Sequence, residues 1–206
     1  MYSVCIRLAS IWSNKAKAWT EGRKNWKENL QLVKNRAAGR EITWVHCASL
    51  GEFEQGRPVI ESLRSAYPKT FIVLSFFSPS GYEVRKDYNN ADAVIYLPAD
   101  TAPNAKSFVE ILNPRLVIFV KYEYWLNLLK SLEHHQVPVL MISSIFRSNQ
   151  VFFKWYGNPW RNSKHTRRIY IRQIFTEHRH CPYSSSSNLR STSSVSVRKA
   201  VSASSP

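Results

Sequence analysis

The chain has 206 residues, with 29 Lys plus Arg against 14 Asp plus Glu and a formal net charge of +15. A hydrophobic fraction of 44% with 13% aromatics is too apolar for a disordered polyelectrolyte and suffices for one domain with a real core. Its three cysteines, Cys5, Cys47 and Cys181, form no CxxC pair, which argues against a secreted disulfide scaffold or a zinc site and for a reducing compartment.

No run reaches the roughly 18 to 20 apolar residues that a spanning helix needs. The apolar start, Met1 to Trp12, is short, contains Arg7 and lacks a secretory cleavage pattern. Residues 1–40 carry nine Lys or Arg and two Glu. Within them Trp12, Trp19 and Trp26 recur every seven residues, which on one helix makes a stripe, with Lys15, Lys17, Arg23, Lys24 and Lys27 between. Tryptophan beside lysine suits the headgroup zone of a bilayer, so this segment is expected to be helical and to lie at a membrane surface. A helix packed on the domain with a solvated basic face is the plainer alternative. Nucleic acid is not expected as a partner, because no RNA-binding, zinc or helix-turn-helix motif accompanies the charge.

Residues 41–157 are electrically balanced, with eleven bases and eleven acids. Short β-rich runs alternate there with helical patterns, the sequence form of a parallel sheet covered on both faces. Strands are expected at Thr43 to Ala48, Thr70 to Phe76, Ala93 to Tyr96, Leu116 to Val120 and Val139 to Ile142. Helices are expected at Glu54 to Ala66, Ala102 to Leu112 and Tyr124 to Leu132. The fold class is therefore α/β, a Rossmann-like parallel sheet with helices on both faces.

Such sheets bind ligands beyond the carboxyl ends of their strands. The groups expected on that rim are Ser49, Leu50, Gly51 and Glu52, then Ser78 to Gly81, then Lys121 to Glu123, then Ser143 to Arg147. Glu52 follows a glycine that permits close approach and stands at a helix start that favours a carboxylate. It reads either as a base for an alcohol or as a helix-capping acid. Glu123 follows an apolar strand and needs a partner such as Lys121 or Arg147. Ser78, Ser80 and Gly81 offer donors to a phosphate, or Ser78 is an N-cap; neither a dinucleotide fingerprint nor a Walker loop is present.

From about Asn158 apolar periodicity stops, and twelve of the last 49 residues are Ser. Such a segment does not bury enough apolar area to offset its ordering entropy, so residues 158–206 are expected to form a disordered basic tail. His178, His180 and Cys181 lack a second ligand pair and are not expected to bind metal.

The stretches WVHCASLGEFEQGRPVIESLRSAYP, FIVLSFFSPSGYE, YLPADTAPNAKSFVEILNPRLVIFVKYEYWLNLL and VPVLMISSIFRSNQ closely resemble the amino-terminal half of the 3-deoxy-D-manno-octulosonic acid (Kdo) transferases. The resemblance covers roughly residues 1–157 and is most specific around Ser49 to Glu54. It implies a two-domain GT-B glycosyltransferase of lipopolysaccharide core biosynthesis on the cytoplasmic face of the inner membrane. The amino-terminal half receives a lipid A precursor, the carboxyl-terminal half binds CMP-Kdo, and no metal or other cofactor is used.

By that resemblance Glu52 maps to the catalytic base and Glu123 to a second important acid. The usual form near the latter is TELEIWPN, so Lys121 and Tyr122 are departures. Ser49, Gly51, Ser78, Ser80, Gly81 and Arg147 are the candidate acceptor contacts. The resemblance stops near Gly157, and the chain is expected to be truncated or frame-shifted and to lack the donor domain. The alternative to an active transferase is a non-catalytic membrane-surface remnant that at most binds the acceptor.

Overall fold

Runs of Val, Ile, Leu and Phe set the frame. The computed structural model describes residues 14–121, 125–142 and 169–171. Its elements in chain order are α1 (Asn14–Glu21), α2 (Trp26–Ala37), β1 (Ile42–Cys47), α3 (Leu50–Ala66), β2 (Phe71–Phe76), α4 (Pro79–Arg85), β3 (Ala93–Tyr96), α5 (Ala102–Leu112), β4 (Leu116–Val120), α6 (Leu126–His134), β5 (Val139–Ile142) and β6 (Ile169–Ile171). Every residue of β1, β2, β4 and β5 is buried, as expected of parallel strands covered on both faces.

The strands form one sheet in the order β3-β2-β1-β4-β5-β6, with every pairing parallel. Trp44, Phe71 and Phe119 on one face pack with Leu30 and Val33 of α2, Phe108 of α5 and Leu128 of α6. Val45, Leu74 and Ile118 on the other face pack with Phe53, Ile60 and Leu63 of α3. Phe108 and Phe119 are almost wholly buried, each contributing about 1.5–3 kcal/mol by removal from water. The sheet is thus α/β and Rossmann-like. Its strand order reverses between β1 and β4, and the loops leaving those two strands flank the crevice where such folds bind ligands.

One expectation is corrected. The tryptophan stripe is broken, because a turn over residues 22–25 separates α1 from α2. Trp19 is 8% exposed and sits edge-on to Phe77, with ring centroids 5.8 Å apart. Trp26 is half-buried against Phe108 at 6.1 Å. Both indoles thus pack on the domain. The turn is where Arg23 enters the protein: its guanidinium donates to the carbonyls of Leu97 at 2.7 Å, Trp19 at 3.0 Å and Phe77 at 2.6 Å. It also lies 4.2 Å from the centroid of the Trp19 ring. A cation that reads as solvated in the sequence is in fact a buried clasp.

Of residues 158–206 three are described. Within them Ile169–Ile171 forms β6, parallel to β5, with Ile169 opposite Val139. The β-branched pair around Tyr170 is the signal that the surrounding Ser and Arg content masks. The rest of that segment, including His178, His180 and Cys181, lies outside the described residues.

Candidate active site

The first turn of α3 begins at the carboxyl end of β1. Ser49 is its N-cap, with extended backbone, and its hydroxyl accepts the Glu52 N–H at 3.4 Å. Glu52 reaches back, and its Oε2 accepts the N–H of Ala48 at 2.6 Å. The sequence S-x-x-E thus builds a capping box whose acid binds one residue further upstream than usual. The amide and the positive end of the helix both suit a carboxylate there. Glu52 is only 7% exposed, held on the rim in a fixed direction. The capping reading of Glu52 is therefore correct as geometry, and it leaves the acid at the switch point of the sheet.

The loop after β2 joins this corner directly. Ser78 donates its N–H to the carbonyl of Ala48 at 2.8 Å. A Cβ on Gly81 would stand 2.6 Å from the Phe76 ring and 3.2 Å from the Leu50 nitrogen, so glycine is what lets α4 abut the start of α3. Arg85 of α4 bonds Glu54 of α3 at 2.7 Å and holds the two helices together. Ser78 does not cap α4 with its side chain; its hydroxyl pairs with that of Ser80 at 2.8 Å. Ser49, Gly51, Glu52, Ser78, Ser80 and Gly81 are therefore gathered in one corner. Glu123, Arg147 and Trp12 lie outside the described residues.

Beside this corner Cys47 is fully buried. Burial pushes its thiol well above the ordinary range, and the Glu52 charge adds to that shift, so it stays protonated and is no nucleophile.

Several residues of the rim were not anticipated. On the α2, α5 and α6 face, the Ser75 hydroxyl accepts the Trp44 indole N–H at 2.7 Å and bonds His46 Nδ1 at 2.8 Å. Burial holds His46 neutral, its pKa lowered from 6.5 to about 3, and the nearby Arg23 charge acts in the same direction. The His46 ring stands edge-on to Trp125 at 5.5 Å, and Trp125 packs on Phe77 at 4.8 Å. Asp100 caps α6 from another loop, its carboxylate accepting the N–H of Asn127 at 3.1 Å and of Leu128 at 3.0 Å. The i, i+4 spacing of Trp19 and Arg23 is a sequence signal for their contact; His46 and Asp100 carry none of comparable strength.

The comparisons with known proteins place the chain in a family. The family model described as 3-deoxy-D-manno-octulosonic-acid transferase (kdotransferase) matches residues 24–192. That match runs past Gly157, where the sequence reading ends the resemblance. A 3-deoxy-D-manno-octulosonic acid transferase from Aquifex aeolicus is 34% identical over 109 residues, covering 52% of this chain and 29% of the relative. One from Haemophilus influenzae is 28% identical over 102 residues, covering 49% of this chain and 24% of the relative. A bifunctional glycosyltransferase/methyltransferase from Fusobacterium nucleatum is 26% identical over 106 residues, covering 50% and 16%. The matched segment thus spans less than a third of each relative's length. With a model match over most of its residues, the chain belongs to the Kdo transferases, a family of glycosyltransferases.

Proposed function

We propose that this chain carries the acceptor side of a Kdo transfer reaction, in which Kdo passes from CMP-Kdo to a hydroxyl of a lipid A precursor in lipopolysaccharide synthesis. Glu52 is the general base. It takes the hydroxyl proton as the acceptor oxygen bonds to the anomeric carbon, and CMP leaves with the electrons of the bond it gives up. Ser49, Gly51, Ser78, Ser80 and Gly81 form the wall along which the acceptor lies. Glu123 is the second acid, and Arg147 meets a phosphate of the acceptor. Residues 41–157 form the acceptor domain.

The observation that carries this reading is the fixed, nearly buried Glu52 at the switch point of the sheet, in a chain of this family. The reaction runs at the cytoplasmic face of the inner membrane. No helix among the described residues is long and apolar enough to cross a membrane; the exposed Lys17, Lys24 and Lys27 of the first two helices and the turn between them are the proposed contacts with its surface.

The test is transfer from CMP-Kdo, generated in place, to a lipid A precursor in detergent, with the carboxyl-terminal half of a related Kdo transferase supplied in trans, followed as the mass of one added Kdo. Product that disappears with Glu52→Ala supports the proposal. No product from the unaltered chain contradicts it and leaves the reading of a non-catalytic, acceptor-binding protein.

A further inference from the structure

The anchor of Glu52 is itself held from a distance. Ala48 links β1 to α3, and both of its backbone polar groups are engaged: its N–H donates to Glu52 Oε2 at 2.6 Å, and its carbonyl accepts the Ser78 N–H at 2.8 Å. The peptide group that carries the Ser78 N–H also carries the Phe77 carbonyl, which accepts a guanidinium N–H of Arg23 at 2.6 Å. A line of three hydrogen bonds thus runs from Arg23, through that peptide group and Ala48, to the Glu52 carboxylate.

The far end of that line is rigid. Arg23 is 7% exposed and donates as well to the carbonyls of Leu97 at 2.7 Å and Trp19 at 3.0 Å. Leu97 belongs to the frame of the sheet, since its N–H donates to the Phe76 carbonyl at 2.8 Å. The rings of Trp19, Phe77 and Tyr96 close around the guanidinium, with centroids 4.2, 4.8 and 4.9 Å away. A planar fork held in this way has a fixed direction, which the ammonium of a lysine lacks. The bond to the Phe77 carbonyl is charge-assisted and polarises its peptide group, so the Ser78 N–H becomes a stronger donor to Ala48.

We propose that Arg23 is a positioning residue for Glu52, fixing the corner between β1 and α3, and with it the direction of the carboxylate, through the Phe77–Ser78 peptide group and Ala48. An arginine that only joined the turn over residues 22–25 to the sheet could use any nearby carbonyls. Here one of its three acceptors lies on the very peptide group that holds Ala48. Gly81 gives the corner a second tie, because it packs where a Cβ would stand 3.2 Å from the Leu50 nitrogen. Loss of the Arg23 fork therefore loosens the corner without dismantling it. The inference rests on the proposed function in taking Glu52 to be the base, whereas the hold on its carboxylate is a property of this chain alone.

The test combines amide hydrogen exchange, read by NMR on the full chain, with Kdo transfer in the presence of the carboxyl-terminal half of a related Kdo transferase. It compares Arg23→Lys with Val109→Ala, a core substitution on the face of the sheet away from α3. In Arg23→Lys the Ser78 and Ala48 amides are expected to exchange about tenfold faster relative to those of β4. Its kcat is expected to fall about tenfold, with acceptor KM within about twofold of the unaltered protein. In Val109→Ala the two amides gain no more than those of β4, and kcat is kept. Tyr96→Leu, which takes one ring from the guanidinium and leaves its carbonyl partners, speeds the same two amides about threefold and stands in if Arg23→Lys does not fold. Ser78 and Ala48 amides that only keep pace with β4 overturn the inference, and so does an unchanged kcat once they are loosened. Loosened amides in a chain that transfers no Kdo even when unaltered leave the hold on Glu52 and sink the proposed function.

Discussion

Gly51 is the second residue of α3, and a Cβ built there meets no atom within 4 Å. It is absent from the residues with positive φ, so neither packing nor backbone conformation requires glycine. Glycine inside a helix costs roughly 0.5–1 kcal/mol relative to alanine through backbone entropy. Gly51→Ala is therefore expected to stabilise the protein by about 0.5 kcal/mol, the lower end being appropriate to a first turn. For a domain of this size that raises Tm by about 1–2 °C. The new methyl stands in open space, where on the proposed mechanism the acceptor hydroxyl approaches Glu52. A tenfold rise in the acceptor's KM, about 1.4 kcal/mol, is the expected scale. Thermal melts and transfer kinetics on the same preparation read both effects. A stabilised variant with unchanged acceptor kinetics would refute the placement of the acceptor over Gly51. Destabilisation by 1 kcal/mol or more would show that the helix start needs glycine for its own sake.

Two further outcomes follow from buried groups. Arg23→Ala removes the donor to three carbonyls and is expected to cost about 2–4 kcal/mol in urea denaturation; a loss under 1 kcal/mol contradicts the clasp. His46, with its pKa lowered from 6.5 to about 3, stays neutral in the folded protein while its unfolded form takes up a proton. Its contribution to stability is thus whole above pH 6.5 and falls by up to about 1.4 kcal/mol per pH unit as pH drops toward 3. His46→Gln is expected to flatten that part of the pH–stability curve, and identical slopes in both proteins would contradict a neutral buried histidine.

The five strands expected from the sequence appear within a residue of their expected bounds, because strands buried on both faces read as unbroken apolar runs. The start of α3 was less legible. Gly51 reads as a turn, so the helix was expected from Glu54 rather than Leu50, although Ser49 and Glu52 already spell a capping box. The seven-residue helix α4 has no periodic signal in the sequence, since Pro79 and Gly81 interrupt so short a run. Arg23 was assigned to a basic face because nothing local shows that three carbonyls and an aromatic cage await it across the fold. The corner of Ser49 to Glu52 and Ser78 to Gly81 was legible as a list of loops, and its contacts follow only from the order of the strands.

The most direct measurement is the turnover of Kdo transfer to a lipid A precursor by the chain, with the carboxyl-terminal half of a related Kdo transferase supplied in trans, and by its Glu52→Gln variant under the same conditions. Glutamine keeps an oxygen to accept the Ala48 N–H but takes no proton. The account predicts that kcat falls by about 10²–10⁴ while acceptor KM and Tm stay close to those of the unaltered protein. Turnover by Glu52→Gln equal to that of the unaltered chain would contradict Glu52 as the base.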